Sequence, residues 1–432
     1  MVSDIGTWVQ LATVSTLLAG SGASNTAVAL VYGALFIPQA LCAPLGGVLA
    51  DRYDRRVLFL KALSMQTAVT TVMAVSIALG ERRPLVLGLM IFVQGASGSL
   101  GQPALSAVLP DLVPRDQLTA AGALNITAWN IGRVVGPVIA WALTWMGPAG
   151  RVGINAVSFA ALWVAIFNLK RPFLPASKLR TSIADELRDG ARVIVRARSC
   201  MLVIATMLVL HLTFIPFMGT IPIKAKSILA ASEAQSLSRT TGLLMSAQGL
   251  GAVAGSLLIA QLLRRWRRST VAMFASVAAV ACSMLYATSA SIVVALAFMA
   301  LTGGSAAVLM GLFGGIVQRD APPEHRGRIL SWNSGVNGLS YGLGLLFIGQ
   351  LADGIGIARA LLTGNLILCG CLVAVLLGLP GWKALFDQGD ARSFLQSPRR
   401  KVGRSSHEIH ELSHVDVTTE ALPQPLRPER QL

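Results

Sequence analysis

Gly46-Gly47-Val48-Leu49-Ala50-Asp51-Arg52-Tyr53-Asp54-Arg55-Arg56 lies between two long apolar runs, 27–50 and 57–79, and its reading decides the fold. Gly47 and Asp51 are four residues apart, so on a helix they share a face: bare backbone, then a carboxylate one turn on. Arg52, Arg55 and Arg56 follow at once. A connection this short fits only a tight hairpin between two apolar helices.

Composition agrees. Apolar residues make up 54% of the chain and charged residues 13%, where soluble domains carry about 25% charged. Such a chain belongs in a membrane. The net charge of +16 would suit a nucleic-acid partner if it were gathered on one patch, but the basic residues are spread between apolar runs. Nucleic acid is therefore excluded as a partner. The five cysteines (Cys42, Cys200, Cys282, Cys369, Cys371) all fall within or at the ends of apolar stretches and form no Cys-x-x-Cys pair, which points to neither a disulfide framework nor a metal site. No Gly-x-x-x-x-Gly-Lys-Ser/Thr loop occurs, so transport driven by ATP is not indicated and no cofactor is expected.

The opening stretch resembles the loop signature of the major facilitator superfamily, Gly-x-x-x-Asp-Arg/Lys-x-Gly-Arg-Arg/Lys. Gly47, Asp51, Arg52, Arg55 and Arg56 match, and Asp54 stands where the family has glycine. A loop that only obeyed the positive-inside rule would need neither the aspartate nor the glycine at fixed spacing. The resemblance implies an all-α membrane fold of twelve spanning helices in two pseudo-symmetric six-helix halves. It also implies that Asp51 faces the start of the eleventh helix, near 327–331, where free backbone N–H groups and Arg326 or Arg328 offer positive potential.

The apolar runs fit that count. After a short first run ending near Ala19 come 27–50, 57–79, 85–109, 118–146, 152–169, 201–220, 241–263, 270–288, 292–317, 329–351 and 360–379. A span needs about 20 residues, so the first helix is expected to be shortened, with the true start upstream. No signal peptide is evident. Loops on the Arg52 side hold 20 lysines and arginines against 7 in the opposite loops. That bias places the Arg52 loop and the C-terminus in the cytoplasm of a bacterial cell, with the chain multi-pass in its cytoplasmic membrane.

The chain also repeats itself at an offset of 208 residues. Gly47 maps to Gly255, Arg56 to Arg264, Gly95 to Gly303, Pro114 to Pro322 and Asn125 to Asn333, with Ile259 where the first copy has Asp51. Parallel repeats of this kind are what the superfamily looks like. The expected organisation is an N-terminal half, 1–169, a cytoplasmic linker, 170–199, a C-terminal half, 200–380, and a polar, disordered tail, 381–432. Within the linker, 183–194 is amphipathic and is expected to lie on the membrane surface.

A second stretch, Gly132-Arg133-Val134-Val135-Gly136-Pro137-Val138-Ile139-Ala140, resembles the antiporter signature Gly-x-x-x-Gly-Pro-x-x-Gly-Gly, with Ala140 and Trp141 replacing the last two glycines. Gly132 and Gly136 permit close helix contact and Pro137 frees a carbonyl. The resemblance implies export. Over residues 1–380 the chain looks most like the branch that holds the enterobactin and macrolide exporters.

Three charged or imidazole side chains are placed within helices away from the loop edges: Asp4, Arg133 and His211. A charge at mid-membrane costs about 2.5–3.5 kcal/mol on insertion scales, so each is a candidate for substrate or proton coupling. Asp4 and Arg133 are expected to pair and to exchange partners as substrate binds. The poverty of buried acids favours a neutral or anionic amphipathic substrate over a cation. His410-Glu411-Leu412-Ser413-His414 in the tail matches a zinc-peptidase pattern, but it sits in a polar, proline-bounded stretch rather than an apolar helix. The reading is a transporter and not an enzyme: a secondary exporter, functional as a monomer, coupling a small amphipathic molecule to protons. An importer of the same fold and a membrane-tethered peptidase are its rivals.

Overall fold

A computed structural model describes residues 1–112, 118–168, 192, 198–228, 234–321, 326–378 and 382–388. The described chain is almost entirely helical. It begins with α1 (Val2–Gly20), α2 (Asn25–Gly33), α3 (Gln39–Arg52), α4 (Arg55–Ala78), α5 (Pro84–Leu112), α6 (Leu118–Ala142) and α7 (Gly147–Phe167). It continues with α8 (Arg198–Thr213), α9 (Ile221–Ile228), α10 (Ala234–Arg265), α11 (Arg268–Thr288), α12 (Ile292–Asp320), α13 (Arg326–Ile355), α14 (Ile357–Gly378) and α15 (Trp382–Gln388).

Two apolar runs that read as continuous are interrupted. The run 27–50 is split into α2 and α3 by turns over 34–38. Pro38 brings no N–H, and its ring would crowd the carbonyl four residues earlier, so the helix restarts beyond it. The seventh run ends α8 at Thr213, makes a 3-10 turn over Ile215–Met218 around Pro216, and resumes as α9 beyond its expected limit. Gly147, at φ 68, takes the left-handed backbone that lets the chain reverse from α6 into α7.

Among the described residues, eight helices are long and apolar enough to cross a membrane. Their outward faces carry aliphatic side chains: Val157, Leu257 and Val293 are all more than two-thirds exposed. Inside, small residues let backbones touch, as helices in lipid require. A β-carbon on Gly251, Gly255 or Gly303 would collide with the carbonyls of Ala300, Gly304 and Gln248, which fixes α10 against α12. Buried amides supply the polar contacts. Gln10 Nε2 donates to Gln94 Oε1 at 2.6 Å and Asn155 Nδ2 donates to Gln10 Oε1 at 2.5 Å, joining α1, α5 and α7.

Residues 382–388 correct the expected tail boundary. Trp382 and Phe386, one turn apart, give α15 a buried apolar face, and Asp387 accepts from Ser269 N (2.9 Å) and Ser269 Oγ (2.8 Å) at the start of α11. The remaining tail, with His410, Glu411 and His414, and the linker stretch 183–194 apart from 192, lie outside the described residues.

Candidate functional site

Three groups of sequence-marked residues occupy different places. Gly47, Asp51 and Arg52 close α3, and Arg55 and Arg56 open α4. Asp54 is the N-cap of α4: its Oδ1 accepts from Val57 N at 2.9 Å. Arg56 donates to the Phe167 carbonyl, tying α4 to the end of α7, and Arg55 Nε donates to Ala50 O at 3.4 Å. The Asp51 side chain and residues 322–325 lie outside the described residues, so the expected contact of Asp51 with the start of α13 stands as an expectation.

The second stretch sits where α6 meets α1. A β-carbon on Gly132 would lie 3.0 Å from the Asp4 backbone, and one on Gly136 would lie 2.6 Å from Trp8 Cβ. Pro137, inside α6, leaves the Arg133 carbonyl without its helical donor, and its own carbonyl faces Gly242 of α10. Ser246 Oγ of α10 donates to Val134 O at 2.8 Å. Trp141, standing where the signature has glycine, lies under Arg239 of α10 at 5.7 Å.

The expected Asp4–Arg133 pair is not formed. Asp4 accepts from the Met1 amine at 3.0 Å, at the very start of α1. Gly132 is the residue of α6 that touches Asp4, and the next side chain on a helix points about 100° away. Arg133 therefore turns from α1 toward Tyr32 of α2 and Tyr341 of α13, its electrostatic neighbours. Its guanidinium donates to Asn130 Oδ1 at 3.3 Å, while Nε is buried with no hydrogen-bond partner. The Tyr32 hydroxyl is likewise buried and unpartnered, and the buried Tyr341 hydroxyl has the Gly219 backbone N–H near its oxygen but no acceptor for its proton. Phe36 completes this wall, with ring centroids 5.2 Å from Tyr341 and 6.2 Å from Tyr32. His211 Nδ1 is 2.8 Å from Met207 O one turn earlier on α8.

A family model described as "Transmembrane secretion effector" matches residues 1–402. The chain belongs to this family of the major facilitator superfamily. Among relatives of this secretion-effector chain, macrolide efflux protein A of Streptococcus pyogenes is 23% identical over 78% of this chain and 84% of its own. The enterobactin exporter EntS of Salmonella typhi is 27% identical over 86% of both. The solved nucleoside transporter NupG superposes with a TM-score of 0.64 at 16% identity, over 89% of this chain and 98% of its own. The D-xylose-proton symporter does so at 0.67 and 12%, over 88% and 97%. The secretion-effector family identifies a multi-pass membrane transporter and not an enzyme, which removes the peptidase reading.

Sequence reasoning on this transporter missed Tyr32, Phe36 and Tyr341. One signal was present: Tyr341 stands 208 residues after Arg133, the offset of the repeat. Gly136 and Gly344 are related in the same way. A β-carbon on Gly344 would press on the His211 carbonyl (2.7 Å) and on Pro216 (2.8 Å) of the α8 segment, as one on Gly136 would press on Ile5 and Trp8 of α1.

Proposed function

We propose that the protein is a twelve-span exporter of a small amphipathic molecule, working by alternating access and proton antiport. The carrying observation is Arg133. Its guanidinium, with an unpartnered Nε, lies within electrostatic reach of two buried phenols, Tyr32 of α2 and Tyr341 of α13. Buried polar groups without partners are costly, so a set of them converging at one place implies a ligand that completes them. The names of the efflux and enterobactin relatives, together with the Gly132–Pro137 stretch, support the outward direction. The matching glycine contacts at Gly136 and Gly344 support two six-helix halves.

In this reading the membrane is the bacterial cytoplasmic membrane, with the Arg52 loop and the C-terminus inside, and the monomer is the working unit. Asp51 latches the Arg52 end to α13 when that end is shut. His211 is the remaining titratable group within a run that can serve proton coupling. Cells carrying the protein should hold less of a neutral or anionic amphipathic test compound, such as an aromatic carboxylate, than cells lacking it. The difference should vanish when a protonophore collapses the proton gradient. Higher internal levels in expressing cells would instead support the importer reading.

A further inference from the structure

We propose that Arg133, Tyr32 and Tyr341 form an anion subsite, so that the exported molecules are aromatic or amphipathic anions bearing a carboxylate or a comparable acceptor group. The proposal rests on the transporter reading above and names its substrate class.

The argument is one of donors and acceptors. Guanidinium carries five N–H donors and no acceptor. Of these, one is used by Asn130 Oδ1 at 3.3 Å and Nε is buried without a partner. Each phenol adds an O–H donor, and neither Tyr32 nor Tyr341 has found an acceptor. Both rings are nearly sealed from bulk solvent, at 1% and 5% exposure. No ion pair to Arg133 occurs among the described residues. The subsite is thus one positive charge with two phenol donors as its electrostatic neighbours, which a carboxylate with its several lone pairs satisfies and an ammonium group cannot.

The surroundings narrow the class further. Phe36, Tyr32 and Tyr341 offer ring faces and edges at 5.2–6.4 Å from one another, a wall suited to an aromatic or flat apolar body. On α13, Asn333 and Asn337 precede Tyr341 at four-residue spacing, on one face, and each has a buried Oδ1 without a donor. These acceptors suit a hydroxyl or amide N–H placed about one to two helical turns from the anionic group.

The test compares three isosteres on the purified full chain in lipid nanodiscs, by isothermal titration: 1-naphthoate, neutral 1-naphthamide and cationic 1-naphthylmethylammonium. Naphthoate should bind saturably and at least about tenfold more tightly than the other two. Arg133→Gln should erase that preference while leaving naphthamide binding unchanged. Tyr32→Phe and Tyr341→Phe, which keep the rings, should each weaken naphthoate about three- to tenfold, and Arg133→Lys should recover part of the loss. Absence of saturable naphthoate binding, equal binding to Arg133→Gln, or preference for the cation overturns the proposal. Binding is blind to direction, so naphthoate binding through Arg133 in a protein that raises internal solute levels would sink export alone. Intact efflux without the anion preference would sink the subsite alone.

Discussion

Asp54 stands where the superfamily's loop signature has glycine, and its carboxylate caps α4. The side chain thus supplies what the helix start needs without a special backbone angle. Asp51, three residues earlier, carries the proposed latch, which depends on charge and not on shape. Asp51→Asn should reach the membrane at wild-type levels but lose most transport; full transport by a well-expressed variant would refute the latch. A different carboxylate illustrates a charge with no such role. In the turn between α4 and α5, hydrogen bonds from Arg83 and Arg82 hold Glu81 down at about 2. A depressed carboxylate contributes above its unfolded value, about 4.3, and loses that contribution only as pH falls toward 2. Between about pH 5 and 8 it therefore stays ionised, and Glu81→Gln should leave the pH profile of transport unchanged. A profile displaced within that window would show that the turn takes part in coupling.

At the scale of elements, the Gly132–Gly136 stretch works by absence of side chains. It lets α6 lie on the α1 backbone, and in doing so it sets the rotation of α6 that turns Arg133 toward Tyr32 and Tyr341. Gly136→Val should push the helices apart and cost about 1–3 kcal/mol, read as a lower unfolding temperature in detergent. Gly344→Val should cost a similar amount against α8, because the repeat places the same contact there. Gly314→Ala on α12, where an added β-carbon meets nothing within 4 Å, is the control and should be neutral. A tolerated Gly344→Val would separate the two contacts and weaken the case for paired halves.

Across the whole molecule, the end opposite the Arg52 loop is clamped by contacts between distant helices. Asp353, near the end of α13, accepts from Asn25 N (2.7 Å), Thr26 N (3.1 Å) and Thr26 Oγ1 (2.6 Å). Together with Ser24 capping Ala27 N, it satisfies the first N–H groups of α2. Lys226 Nζ donates to Ala19 O at 3.0 Å, and Arg151 Nη1 to Ser238 Oγ at 3.4 Å, at the same end. The proposed alternating access requires these contacts to break and re-form. Joining Thr26→Cys to Asp353→Cys with a short bifunctional crosslinker, in a background without native cysteines, should stop transport while naphthoate binding persists. Unimpaired transport by the crosslinked protein would mean that this end does not open.

Much of this was legible in the chain alone. The apolar runs, the basic bias between them and the Arg52 loop determined a multi-pass membrane protein of this superfamily, because burial in lipid constrains every residue of a span and leaves a long, redundant signal. The Gly-x-x-x-Gly-Pro spacing marked a close helix contact for the same local reason. Which helix it met, and what the neighbouring arginine faced, were decided only by the tertiary structure. Helical periodicity states which residues share a face, but the rotation that aims that face is set by packing. Hence Asp4 and Arg133, opposite charges on neighbouring helices, point apart. Tyr32, Arg133 and Tyr341, drawn from across more than 300 residues of sequence, are electrostatic neighbours around a positive charge that no carboxylate among the described residues pairs.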